Sequence, residues 1–261
     1  MKKLVIVMAI VLMASTAHAT ALTLINSFSV TDGQTIAFDA VTGDVITAHY
    51  DGGTVLDKYN PTTGAYLGST GVVPGSGGVY ALEALPNGNL LYRSHVNSDV
   101  VEITTAGAVV GAGISFTAAD TRGIAIVDMN DFFLLDQDSG DVVEVDATGA
   151  VIGTTWNTET QAALGGSGCT DPSGMSFGPG GNLYVGDADG ARVLEYETDG
   201  TFVAEHPMTD PKGLSYDPAT YRLFVVHDSN TTVEVYQGPI PEPAGLGLVG
   251  LALLAVRKRR S

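Results

Sequence analysis

Cysteine, basic side chains and helical periodicity are all scarce in this chain of 261 residues, and each scarcity excludes something. A single cysteine, Cys169, permits no intramolecular disulfide, so a hydrophobic core must hold the fold. It sits in Gly165-Gly166-Ser167-Gly168-Cys169 with no histidine beside it, which predicts a buried small residue rather than an activated thiol. Twelve lysines and arginines stand against 29 acidic residues, a formal net charge of −17. Such a field repels phosphate backbones, which excludes nucleic-acid binding, and it attracts cations, calcium included. No G-x-S-x-G elbow, H-E-x-x-H pair or phosphate loop is present. Between the two ends no stretch carries a helical apolar period, so a helical fold is excluded as well.

Long apolar runs occur only at the ends. Lys2-Lys3 precede Leu4 to Met13, and Ala17-His18-Ala19 supplies an A-x-A cleavage site. Residues 1–19 therefore read as a secretory signal peptide, exported by the Sec machinery and removed by signal peptidase, with Thr20 as the mature start. At the other end Pro241-Glu242-Pro243 is followed by the apolar run Ala244 to Val256 and then by Arg257-Lys258-Arg259-Arg260-Ser261. As a helix that run reaches roughly 20 Å, short of a bilayer core of about 30 Å. The basic cluster stays on the cytoplasmic side, leaving everything before Pro241 outside. Proline, acid, proline, short apolar helix and basic stop resemble the PEP-CTERM sorting signal. The resemblance implies an exosortase as partner, transient anchoring in the inner membrane of a Gram-negative cell, and delivery to the surface or matrix. It further implies a setting of exopolysaccharide production and biofilm formation. Six of the twelve basic residues lie in the two ends, and only Glu242 of the 29 acidic ones. The remaining domain, residues 20–238 ahead of a tail at 239–261, thus keeps six bases against 28 acids, a net charge near −22.

That domain is built of five units of about 44 residues. A strand of large-small-large pattern recurs as Ile36-Ala37-Phe38, Tyr80-Ala81-Leu82, Ile124-Ala125-Ile126, Met175-Ser176-Phe177 and Leu214-Ser215-Tyr216. Alternation of this kind sends the large pair to one sheet face and the small residue to the other. A tight turn such as Gly43-Asp44, Gly88-Asn89 or Gly181-Asn182 and a second strand follow. A third strand, a turn at Gly64, Gly107, Gly149 or Gly200, and a fourth strand such as Ala108-Val109-Val110 complete the unit. The fifth unit stops near Tyr236 without a fourth strand, whereas Leu22 to Val30 forms a lone strand ahead of the first. The expectation is an all-β fold: a β-propeller of five four-stranded blades, closed by the N-terminal strand, with short helical segments at both termini.

Asp171-Pro172-Ser173-Gly174-Met175-Ser176-Phe177, Gly180-Gly181-Asn182-Leu183-Tyr184-Val185-Gly186-Asp187 and Arg192-Val193-Leu194-Glu195-Tyr196 resemble an NHL-type repeat. The fifth unit shares Asp210-Pro211-Lys212-Gly213. The resemblance implies the propeller superfamily and no activity.

Two polar positions recur. Before the inner strand stand Asp32, Ser76, Asp120, Asp171 and Asp210; after the second strand stand His49, His95, Asp136, Asp187 and His227. In a propeller both sets fall on one face, at the mouth of the central channel. They are the candidate site: either a metal or ligand rim of carboxylates and imidazoles, or aspartates that cap their own turns. Asp136, Asp138 and Asp141 make a partial calcium loop, with Gly140 one place early and Ala147 where an EF-type loop has glutamate. A divalent cation is the only cofactor the pattern suggests. Gluconolactonase-like propellers are similar to NHL propellers, yet their early Glu-Gly-Pro has no counterpart in Asp32-Gly33-Gln34-Thr35. The expected function is non-catalytic binding of a polysaccharide or surface protein. The alternative is a metal-dependent lactonase or lyase using the His and Asp rim.

Overall fold

The computed structural model describes residues 22–31, 33–49, 55–72, 78–94, 99–111, 113–114, 120–153, 155–161, 168–227 and 231–239. Their fold is a five-bladed β-propeller of antiparallel sheets. The chain opens with β1 (Thr23–Ser29) and builds the first blade from β2 (Thr35–Asp39), β3 (Asp44–Ala48), β4 (Val55–Tyr59) and β5 (Tyr66–Val72). The second blade holds β6 (Val79–Ala84), β7 (Leu90–Ser94) and β8 (Val100–Ile103). The third holds β9 (Thr121–Asp128), β10 (Asp131–Asp136), β11 (Asp141–Asp146) and β12 (Trp156–Asn157), followed by one helical turn, α1 (Thr158–Gln161). β13 (Pro172–Phe177), β14 (Leu183–Asp187), β15 (Arg192–Tyr196) and β16 (Phe202–Pro207) form the fourth. The fifth has β17 (Pro211–Asp217), β18 (Arg222–His227) and β19 (Thr232–Gln237).

The ring closes as the sequence predicts. β1 pairs antiparallel with β19, Thr23 opposite Gln237 and Ser29 opposite Thr232, so the first strand completes the last blade and leaves no open edge there. The inner strands β2, β6, β9, β13 and β17 stand side by side around the axis, β17 returning to β2. Sheets meeting face to face in a ring bury both faces of their inner strands. β2 is accordingly buried at every residue and β6 at all but its last, whereas outer β1 buries only Phe28.

The core is five separate clusters, one in each gap between blades. Ile36, Phe38 and Tyr59 meet Phe224 and Val226 between the first and fifth blades. Ala37 and Ile46 meet Leu82 and Tyr92 in the next gap, and Ala81 and Leu91 meet Ile124 and Phe132 in the one after. Ala125, Phe133 and Trp156 meet Met175 and Tyr196, and Tyr184 and Val193 meet Leu214 and Leu223. The large-small-large triplet thus has its reason: the large pair points back to the preceding blade and the small residue forward to the next. Glycine just before the triplet permits the inner strands to approach. A Cβ on Gly174 would lie 2.1 Å from Lys212 O, and one on Gly213 2.9 Å from the Thr35 Cα.

Two blades carry local departures from the repeat. Among the described residues the second blade has three continuous strands, its fourth represented by the isolated bridges Ile103 to Val109 and Val100 to Ile114. Gly111 and Gly113 interrupt that edge, and glycine weakens a strand by backbone entropy. In the fifth blade the turn position that Gly43 fills with φ 76° in the first is taken by Tyr221 at φ 59°. The helical segments and sorting tail expected at the termini fall on residues outside those described, and no described helix is long and apolar enough to cross a membrane.

Candidate functional site

The channel has two mouths. At the first, loops entering the inner strands meet the turns after the second strands, as the sequence pattern places them. Asp32, Ser76 and His95 lie outside the described residues; Asp120, Asp136, Asp171 and Asp187 stand together there.

Each buried aspartate of this rim is engaged. Asp187 is fully buried at the end of β14. Its Oδ1 accepts from the amides of Thr170 at 3.0 Å, Asp171 at 3.1 Å and Gly190 at 3.1 Å, and its Oδ2 from Arg192 Nε at 3.0 Å. Burial acts to raise its pKa, but the Thr170 amide, the Arg192 guanidinium and the Asp171 amide outweigh that and hold it below the usual carboxylate range. Asp136 repeats the scheme one blade earlier: Oδ1 accepts from Ser139 N at 2.9 Å and Oδ2 from Asp120 N at 3.2 Å. Asp120 in turn binds Arg93 Nη1 at 2.6 Å and Arg122 Nε at 3.0 Å. Asp171 accepts from the Gln137 amide and has Lys212 Nζ at 3.5 Å. Asp210 is exposed, at φ 41°.

Sequence reasoning overlooked the cations of this mouth. Arg93, Arg122, Arg192 and Lys212 are four of the six basic residues between the ends, and all four pair with rim aspartates. The guanidiniums of Arg93 and Arg122 also sit over the Tyr80 ring, at 5.1 and 3.5 Å from its centre.

The histidines do not gather. His227 Nδ1 bonds Thr209 O, and Nε2 lies 3.1 Å from Glu234 Oε2. His49 Nε2 meets Asp57 Oδ2 at 3.1 Å in a lateral cleft of about 560 Å³ between the first and fifth blades. Asp138 is exposed, and Asp141 Oδ1 accepts from Asn157 Nδ2 at 2.8 Å. Among the described residues no three His, Cys, Asp or Glu side chains come together as a metal would need, the trio Asp136, Asp138 and Asp141 included. Cys169 is buried between the third and fourth blades, and burial pushes its thiol pKa well up, as an inert core residue requires.

The opposite mouth, where the inner strands end, holds a cavity of about 860 Å³ lined largely by apolar groups, with Phe38, Phe177, Tyr216 and Tyr221 among them. Among the described residues its one acidic or basic lining residue is Glu83, at the end of β6 and 7 % exposed. Glu83 Oε1 accepts from Ala84 N at 3.1 Å and from Ser215 Oγ at 3.1 Å, across the channel. Ser215 Oγ itself accepts from Phe38 N at 2.8 Å. Glu83 Oε2 has no partner. Burial pushes the Glu83 pKa up to about 8, against the lowering effect of its two hydrogen bonds.

The signal for Glu83 was present in the repeat. One residue past the triplet stand Asp39, Glu83, Val127, Gly178 and Asp217. Asp39 and Asp217 cap the turns that follow, accepting from Val41 N and Ala219 N at 2.9 Å each. In the second blade Asn87 does that work, accepting from Asn89 N at 2.8 Å, and the longer Glu83 is released into the channel.

No protein-family model matches the chain, and no curated protein matches it. Solved structures do, at low identity. A Myxococcus xanthus glutaminyl cyclase is 13 % identical with a TM-score of 0.64, covering 85 % of this chain and 98 % of its own. A luciferin-regenerating enzyme is 15 % identical with a TM-score of 0.57, over 84 % of this chain and 96 % of its own. A calcium-binding protein, regucalcin, from Agrobacterium tumefaciens is 12 % identical with a TM-score of 0.54, over 85 % and 96 %. Likeness at this identity extends to the fold and stops short of activity: the chain is a β-propeller of the architecture those proteins share.

Proposed function

We propose that the chain is an exported β-propeller that acts by binding an extracellular polysaccharide or a surface protein rather than by turnover. The observation that carries this reading is the state of the first mouth. Asp136 and Asp187 have their oxygens committed to backbone amides and to a guanidinium, and Asp120 and Asp171 are paired with cations. Such groups serve the fold, and a general base or metal ligand at these positions would first have to break those bonds. Export rests on residues 1–19 as signal peptide. Delivery rests on Pro241-Glu242-Pro243, the apolar run and the basic stop Arg257 to Arg260, read by an exosortase.

Two measurements test the reading. Co-expressed with an exosortase, the wild-type chain is expected in the medium or on the surface, and the variant with alanine at 241, 242 and 243 in the inner membrane. Normal processing of that variant sinks the sorting claim. The purified protein is expected to co-sediment with exopolysaccharide or matrix protein of its host. Turnover of a simple lactone in the presence of zinc or calcium, abolished by His227→Ala in a folded protein, overturns the binding claim.

A further inference from the structure

We infer that the cavity at the strand-end mouth is a binding site for an organic cation, an ammonium carrying apolar substituents, with Glu83 as its counter-ion. The inference rests on the reading of the propeller as a binding module and deepens it.

Four observations converge. The cavity, about 860 Å³, is large enough for a small organic molecule. Its walls offer the rings of Phe38, Phe177, Tyr216 and Tyr221, whose faces attract a cation. Among the described residues its one ionisable carboxylate is Glu83, and no lysine, arginine or histidine lines it. That acid is more than nine-tenths buried with Oε2 unpartnered, and a buried carboxylate oxygen left so calls for a counter-charge or a donor. Tyr221 adds a fifth mark, holding a left-handed backbone at φ 59° where the first blade uses Gly43. A bulky side chain rarely adopts that conformation, and strain of this kind collects at ligand sites.

Glu83 is the group through which pH acts. β2 and β17 carry Asp39 and Asp217, both occupied with turn amides, and the Tyr216 phenol, whose pKa burial raises to about 12. The Tyr221 phenol stands in the turn after β17. β9 and β13 face it with Ile126, Val127, Ser176 and Phe177, none of which titrates. On β7, Arg93 is held by Asp120 at the other mouth. Protonated Glu83 must ionise to hold a cation, so binding releases a proton and tightens as pH rises through about 8.

The test titrates the full-length protein with benzyltrimethylammonium and with neopentylbenzene, its uncharged isostere, by calorimetry from pH 6 to 9. The expected result is at least tenfold tighter binding of the cation at pH 9, falling towards the isostere's on acidification, and loss of the preference in Glu83→Gln. Equal binding of the two probes overturns the inference, as does a cation preference that survives Glu83→Gln. A fall in affinity with rising pH overturns it too, because protonated Glu83 would then be donating to an uncharged acceptor. Should Glu83→Gln fail to fold, Tyr221→Gly relieves the turn while removing one aromatic wall; unchanged cation affinity in that variant is equally fatal. Matrix binding that persists without any cation preference rejects this inference alone, whereas lactone turnover rejects the binding module beneath it.

Discussion

Asp187, a rim candidate in the sequence, has its carboxylate fully engaged by the fold. It lies after a second strand, in the most NHL-like unit, and its carboxylate is fully buried against three backbone amides and the Arg192 guanidinium. Asp187→Ala strands those donors and takes from Arg192 its buried counter-charge, while its bonds to Glu205 and the Gly168 carbonyl, at 3.0 Å each, remain. Breaking a buried pair in this way costs about 3 kcal/mol, a fall in Tm of roughly 6–12 °C for a domain of this size, readable by calorimetry. Because its folded pKa is depressed, the stability Asp187 confers is present at neutral pH and lost as pH falls below the usual carboxylate range. Glu83 has the opposite sign. Between about pH 4.5 and 8 the folded chain holds a proton that the unfolded chain has released. Stability therefore declines with rising pH across that window, by at most about 1.4 kcal/mol per pH unit. Denaturant unfolding at pH 5, 6, 7 and 8 is expected to show this decline in wild type and a flatter profile in Glu83→Gln.

At the scale of the element, β1 bears the ring's closure on very little buried surface. Of its residues only Phe28 is buried, opposite Val233 of β19 and 6.1 Å centre to centre from the Tyr59 ring of the first blade. One aromatic side chain thus joins the outer strand of the last blade to the first. Phe28→Ala is expected to destabilise the protein by about 3 kcal/mol. It is also expected to expose β19 as a pairing edge, so that light scattering rises well before global unfolding. Aggregation no different from wild type would show that the β1 to β19 ladder holds closure without Phe28. The repeated strand pattern itself was legible: triplets, turns and the position of the closing strand all stand where alternation and glycine placed them. The missing fourth strand of the second blade was less so. Val109 and Val110 look like a strand, and their register depends on flanking Gly111 and Gly113, whose effect is backbone entropy rather than pattern.

For the whole molecule, charge is the dominant fact. With a formal charge of −17 the chain attracts cations without specificity, and the first mouth answers that field by pairing its aspartates with most of the basic residues between the ends. Millimolar calcium or zinc is therefore expected to leave Tm within about 1 °C of its value in chelator. A site filled at a hundred times its dissociation constant would instead add about 2.7 kcal/mol and raise Tm by roughly 5–10 °C. A shift of that size would restore the metal-rim reading and with it the lactonase alternative.

Sequence by itself determined the architecture, because period-two alternation, turn glycines and a 44-residue repeat are local properties that each blade expresses alone. It also indicated which residues stand at the first mouth. Only the tertiary structure decided their use, since a carboxylate's partner is chosen by what ring closure brings beside it. Arg93 reaches Asp120 from the preceding blade, and Gln137 reaches Asp171. The same holds for the other mouth. Ser215 meets Glu83 across 132 positions of chain and Phe38 across 177, separations at which no sequence period carries information. The hydrogen-bonded acid of the channel comes into being only when ring closure brings the fifth blade opposite the second.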